Sequence, residues 1–236
     1  MMTDVLALAA AAMLPVTLLD VALRRKPRRW RIAVTLLVLV ALLVPFGERS
    51  AAFYIRGAIG NLSIGSMAMM AYWFLRAWGP PSLARFDREL VFMAVPLLVV
   101  AAVFYPMSLG FTVTDPYAHG YYPTVLSAFL LSIFCWAVLS GWYLSAAVLA
   151  SAFIAFAFGW LESDNFWDYL FDPLLVVAAI VCVVLRGREF AAAPWASLFP
   201  RRFTIASLVL VAVFLAFAVV LSRANPTAYI EDFSAE

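Results

Sequence analysis

TVLSAFLLSIFCWAVLSGWYLSAAVLASAFIAFAFGW, residues 124–160, contains no acid, base or histidine. As one helix it would be about 55 Å long, against a bilayer hydrocarbon core of about 30 Å. It must fold back, and Ser140-Gly141-Trp142 is the turn its residues offer. The reading is two short helices, 124–140 and 143–160, that cross a membrane and return.

The same character extends through the chain. Of its 236 residues 66% are hydrophobic and 13% charged, and the mean hydropathy is +0.98. A soluble domain carries about 25% charged residues. Apolar runs recur at about 3–23, 32–46, 53–76, 90–109, 165–186 and 203–221. No polar stretch between them approaches the roughly 50 residues that a separate domain needs. The fold class expected is therefore all-α, a polytopic transmembrane helix bundle of about eight spans forming one integral membrane domain.

Charge orients the bundle. The first run carries Asp4 and no base, and Arg24-Arg25-Lys26-Pro27-Arg28-Arg29 follows it. That polarity is opposite to a secretory signal and reads as an uncleaved anchor with its N-terminus outside. Arg76, Arg85, Arg88, Arg186, Arg188, Arg201 and Arg202 fall on the same side as the first cluster. Asp115, Glu162, Asp164, Asp168, Asp172, Glu231, Asp232 and Glu236 fall on the other. Eight spans with both termini extracytoplasmic produce this separation, with basic loops 24–31 and 186–202 cytoplasmic and acidic loops 112–123 and 161–173 outside. Arginine and alanine usage points to a bacterial chain, and hence to its inner membrane. Cys135 and Cys182 lie in apolar runs and read as packing residues, not as a disulfide or metal pair. The basic cluster serves as a topology anchor, and nucleic acid is not an expected partner.

Leu161-Glu162-Ser163-Asp164-Asn165-Phe166-Trp167-Asp168-Tyr169-Leu170-Phe171-Asp172-Pro173 places four carboxylates in a nearly uncharged chain. A seventh helix starting at Pro173 and ending near Arg186 would be only about 20 Å long, too short to cross. It is therefore expected to start near Asn165, with Pro173 inside it. Asp164, Asp168 and Asp172 would then form one stripe, with Asp172 about 10 Å deep. A carboxylate at that depth needs a partner, and Arg56, on the glycine-rich third span, is the partner expected for Asp168 or Asp172. Asp115-Pro116 and Asp172-Pro173 also have the form of helix starts, with Asp as cap and Pro in the first turn.

Two chemistries compete. Asp115, His119, Asp164 and Asp168 could serve as catalytic groups or as ligands of a divalent cation such as Mg²⁺, Ca²⁺ or Mn²⁺. Arg56, Asn61, Glu162 and Asp172 would complete a binding site for a lipid-linked phosphate. Alternatively, the acids are caps and ion pairs, no cofactor is held, and another membrane or periplasmic protein docks on the aromatic rim. The first expectation is a non-catalytic accessory or scaffold subunit in envelope lipid or glycan assembly, in contact with membrane lipids. The second is an enzyme on a lipid-linked phosphate at the outer face. A lipid or small-solute transporter using the polar stripe Asn61, Ser63 and Ser66 is third. One histidine excludes multi-histidine di-iron and intrachain bis-histidine haem sites. There is no phosphate-binding loop, nucleophile elbow or dinucleotide fingerprint.

Overall fold

A computed structural model of the protein describes residues 2–23 and 25–191, together with positions 205 and 209. Apart from those two positions, the expected span at 203–221, the tail after it, and Arg201 and Arg202 lie outside the described residues. Among the described residues the chain is all-α, with one small hairpin. The elements are α1 (Met2–Ala22), α2 (Arg28–Leu43), β1 (Pro45–Phe46), β2 (Arg49–Ser50), α3 (Ala51–Ile59) and α4 (Ile64–Trp78). After these come α5 (Asp87–Pro106), α6 (Thr124–Ser140), α7 (Tyr143–Ala157), α8 (Trp167–Leu170) and α9 (Pro173–Ala191).

Among the described residues two helical stretches are long and apolar enough to cross a membrane, Thr3–Ala22 and Pro81–Phe111. The second joins a 3₁₀ turn, α5 and a wide final turn, and so exceeds the expected 90–109 at both ends. α6, α7 and Pro173–Leu185 are apolar but shorter. The uncharged run reverses at Gly141, whose φ of +79° is the left-handed conformation that glycine adopts without strain. Large apolar side chains such as Leu37, Val103, Leu139 and Val184 face outward. A helix that is apolar on both its packed and its outward sides is not adapted to water.

Two expected spans are broken. The third is not one helix over 53–76: α3 ends at Gly60, φ +75°, and α4 begins after Ser63. The seventh does not start near Asn165. α8 is a separate single turn, Phe171 is extended, and α9 starts at Pro173. The expected stripe of Asp164, Asp168 and Asp172 along one helix therefore does not form. The physical reason is local: Asp172 accepts the N–H of Leu175 at 2.8 Å and caps a helix whose first residue is proline. Length is recovered at the far end, because α9 has 19 residues and spans about 28 Å.

Contacts trace the chain between two ends. At one, Asp20 at the end of α1 binds Arg31 of α2 at 2.7 and 2.8 Å. Arg76 of α4 reaches Asp87 at 3.3 Å. Glu89 of α5 accepts the N–H groups of Leu144 at 3.0 Å and Ser145 at 3.2 Å, and so caps α7 beside the Gly141 turn. This basic end also carries Arg28 and Arg31 over the Trp78 ring. The opposite, loop end holds the start of α1, the α3–α4 break and the segments 112–123 and 161–172. α4 is the central helix and touches α1, α7, α8 and α9. Gly65 permits this: a methyl there would collide with the Leu170 carbonyl oxygen and the Leu175 side chain.

Candidate functional site

The two acidic segments interlock at the loop end. Asn165 is fully buried. Its amide nitrogen donates to the Tyr117 carbonyl at 2.9 Å, and its amide oxygen accepts the N–H of Trp167 at 2.9 Å. The Trp167 indole N–H reaches the Pro116 carbonyl at 2.9 Å, and the N–H of Phe166 the Gly120 carbonyl at 3.0 Å. Gly120 sits so close to Asn165 that any side chain would displace the amide. These bonds satisfy buried backbone groups that neither segment could satisfy alone.

Asp172 joins this assembly to the bundle core. One carboxylate oxygen accepts from Leu175 and from the Ser66 hydroxyl at 2.9 Å; the other accepts the N–H of Ser63 at 2.6 Å. Ser63 in turn accepts the N–H of Ser66 at 3.0 Å. A single carboxylate thus closes the N-termini of both α4 and α9, where unpaired N–H groups leave partial positive charge. Of the candidates for a polar path, Ser63 is occupied as the cap of α4 and the Ser66 hydroxyl by Asp172.

Arg56 does not meet Asp168 or Asp172. It binds Glu162, Asp4 at 3.2 Å and the Asn61 amide oxygen at 3.1 Å, while the Asn61 amide donates to Glu162 at 3.1 Å. The expected pairing fails because Asp172 is already satisfied by neutral donors on α4 and α9. The Asn61 amide first, and Arg56 second, hold the Glu162 carboxyl below its usual range.

Asp168 lies between the two groups. One of its oxygens accepts the Tyr117 hydroxyl at 2.9 Å and the Ser163 hydroxyl at 2.5 Å, and the other takes no bond among the described residues. Burial, reinforced by the bond to Asp168, pushes the Tyr117 hydroxyl well above its usual range, so it stays a donor. Beside these groups is a cavity of 490 Å³ lined by Asn61, Tyr105, Ser108, Tyr117, Asp168 and Asp172. Phe104, Trp167 and Phe171 are also on its wall, the latter two with ring centroids 4.7 and 5.1 Å from Phe104. A larger cleft of 1080 Å³ between α1, α4 and α9 is mostly apolar, with Arg25, Arg76 and Asp87 at its basic end.

The chain matches no protein-family model, no curated protein and no solved structure. The chemistry available has to be read from this geometry. Asp115, His119, Asp164 and Asp168 do not converge: among the described residues no three of His, Cys, Asp and Glu gather to hold a metal ion. Asp115 accepts the N–H of Tyr117 at 2.8 Å inside its own turn, and His119 and Asp164 are exposed. Of the sequence-derived residues, Arg56, Asn61 and Glu162 form one group, and Asp168 and Asp172 line one cavity. Sequence reasoning did not single out Tyr105, Ser108, Tyr117, Ser163 or Asn165 as individual participants. The signal for Asn165 was a turn-forming amide directly before two aromatic residues, Phe166 and Trp167; the others carry no local signal.

Proposed function

We propose that this is a non-catalytic accessory or scaffold subunit in envelope lipid or glycan assembly, a multi-pass protein of a bacterial inner membrane. It has about eight spans, counting 203–221, with both termini and the acidic segments extracytoplasmic and the basic segments cytoplasmic. The outward apolar side chains and the separation of Arg76, Arg28 and Arg31 from the acidic segments support the membrane assignment. One observation carries the non-catalytic reading: the carboxylates are used structurally. Asp172 caps two helices, Glu162 holds Arg56, and Asp115 closes a turn. The exposed rim of His119, Tyr121, Tyr122 and Asp164 is the docking face.

Affinity purification in mild detergent followed by native mass spectrometry tests this. The expected result is a stoichiometric partner protein, released by Asp164→Asn with Tyr122→Ala while the melting temperature holds. A chain that is always recovered alone would end the scaffold reading.

The cavity beside Asp168 favours a second reading, an enzyme on a lipid-linked phosphate with a divalent cation. That reading requires Arg56 to leave Glu162 and Asp4, since no base among the described residues lines the cavity. Turnover of a polyprenyl phosphate by the purified chain, abolished by Asp168→Asn, would establish it.

A further inference from the structure

We infer that the loop-end cavity binds an organic ammonium group, of the kind found in ethanolamine and choline headgroups. This rests on the membrane assignment above for its ligand source, but requires no partner protein. Asp168 and Asp172 line the cavity, and every hydrogen-bond donor to either is neutral. Among the described residues no arginine or lysine lines it. Partly buried negative charge without a cation is unfavourable, and a cationic ligand relieves it. Among the described residues one Asp168 oxygen has no donor, which leaves an acceptor for such a ligand.

The remaining wall is aromatic. Tyr105, Tyr117, Trp167 and Phe171 line the cavity and pack through Phe104. Aromatic faces attract cations that carry carbon substituents, and an ammonium can contact rings and a carboxylate together. The buried Ser108 hydroxyl, also on the lining, has no hydrogen-bond partner among the described residues. The volume of 490 Å³ suits a small organic group. A bare divalent metal is disfavoured by the absence of three converging ligands among the described residues, and an anion by the absent bases.

The test uses the full chain in a neutral detergent, titrated with ethanolamine and choline against sodium chloride at equal ionic strength. Tryptophan fluorescence and melting temperature are read. A saturable response to the amines is expected, weakened about tenfold or more by Asp168→Asn and by Tyr105→Leu and unchanged by Asp115→Asn. Asp168→Asn retains the acceptor for Tyr117, and ligand-free melting checks the fold of each variant. Native mass spectrometry from bilayers of equal phosphatidylethanolamine and phosphatidylglycerol identifies the source. Retention of the former assigns a lipid headgroup, and amine binding without lipid preference assigns a soluble amine. No saturable response up to about 100 mM amine overturns the inference. So does a response that survives both variants. None of these outcomes bears on whether a partner protein copurifies.

Discussion

Asp172 meets three donors with two oxygens, and those donors belong to two different helices. Asp172→Ala leaves two backbone N–H groups and a hydroxyl without an acceptor. The expected loss is about 3 kcal/mol of stability, measured by denaturation in detergent. Asp172→Asn keeps one acceptor oxygen but turns an NH₂ group toward a donor, and should lose about half as much. Glu162 gives a pH test. Its carboxyl is depressed in the folded chain below the reference value of 4.5 by Asn61 and then Arg56. A depressed group contributes stability above its unfolded pKa, and that contribution disappears as pH falls through the folded value. The difference in melting temperature between the native chain and Glu162→Gln should hold from neutral pH to about pH 5 and close below it. The Asp-Pro pair at 172–173 was legible as a cap. The partner of Arg56 was not, because a sequence shows which residues are charged but not which carboxylates backbone donors have already satisfied.

α4 and α9 show how a local rule and a length rule compete. Proline at 173 and aspartate before it specify a helix start. The length argument moved that start back to Asn165, on the premise that the helix ended near Arg186. α9 continues to Ala191, so the premise failed and the capping rule held. The α3–α4 break has a similar origin. Gly60 belongs to the glycine-rich stretch and Ser63 to the polar stripe, yet their use as a break depends on Asp172, 109 residues beyond Ser63. Close approach also explains Gly65. Gly65→Ala should push α4 from Leu170 and Leu175 and lower stability by about 1–3 kcal/mol. Gly57→Ala, which has open space around it, is the control and should change little. Equal losses in the two variants, read by thermal melting, would contradict the packing described.

Across the molecule the charges sort to opposite ends. Asp20, Arg31, Arg76, Asp87 and Glu89 mark one end, and Asp4, Arg56, Glu162, Asp168 and Asp172 the other. If a membrane lies between them, cysteines at positions 164 and 28 should react with an impermeant reagent from opposite sides. The background is a chain with Cys135 and Cys182 replaced, because Cys135 is exposed. Labelling of both from one side would overturn the proposed topology. Helical architecture and the reversal at Gly141 could both be read along the chain. They follow from hydropathy and glycine's backbone freedom, each of which is a property of neighbouring positions. The broken third helix, the Arg56–Glu162 pairing and the aromatic cavity beside Asp168 could not. Each depends on groups far apart in the chain, whose hydrogen-bonding demands are settled only when packed helices bring donors and acceptors within 3 Å or so of one another.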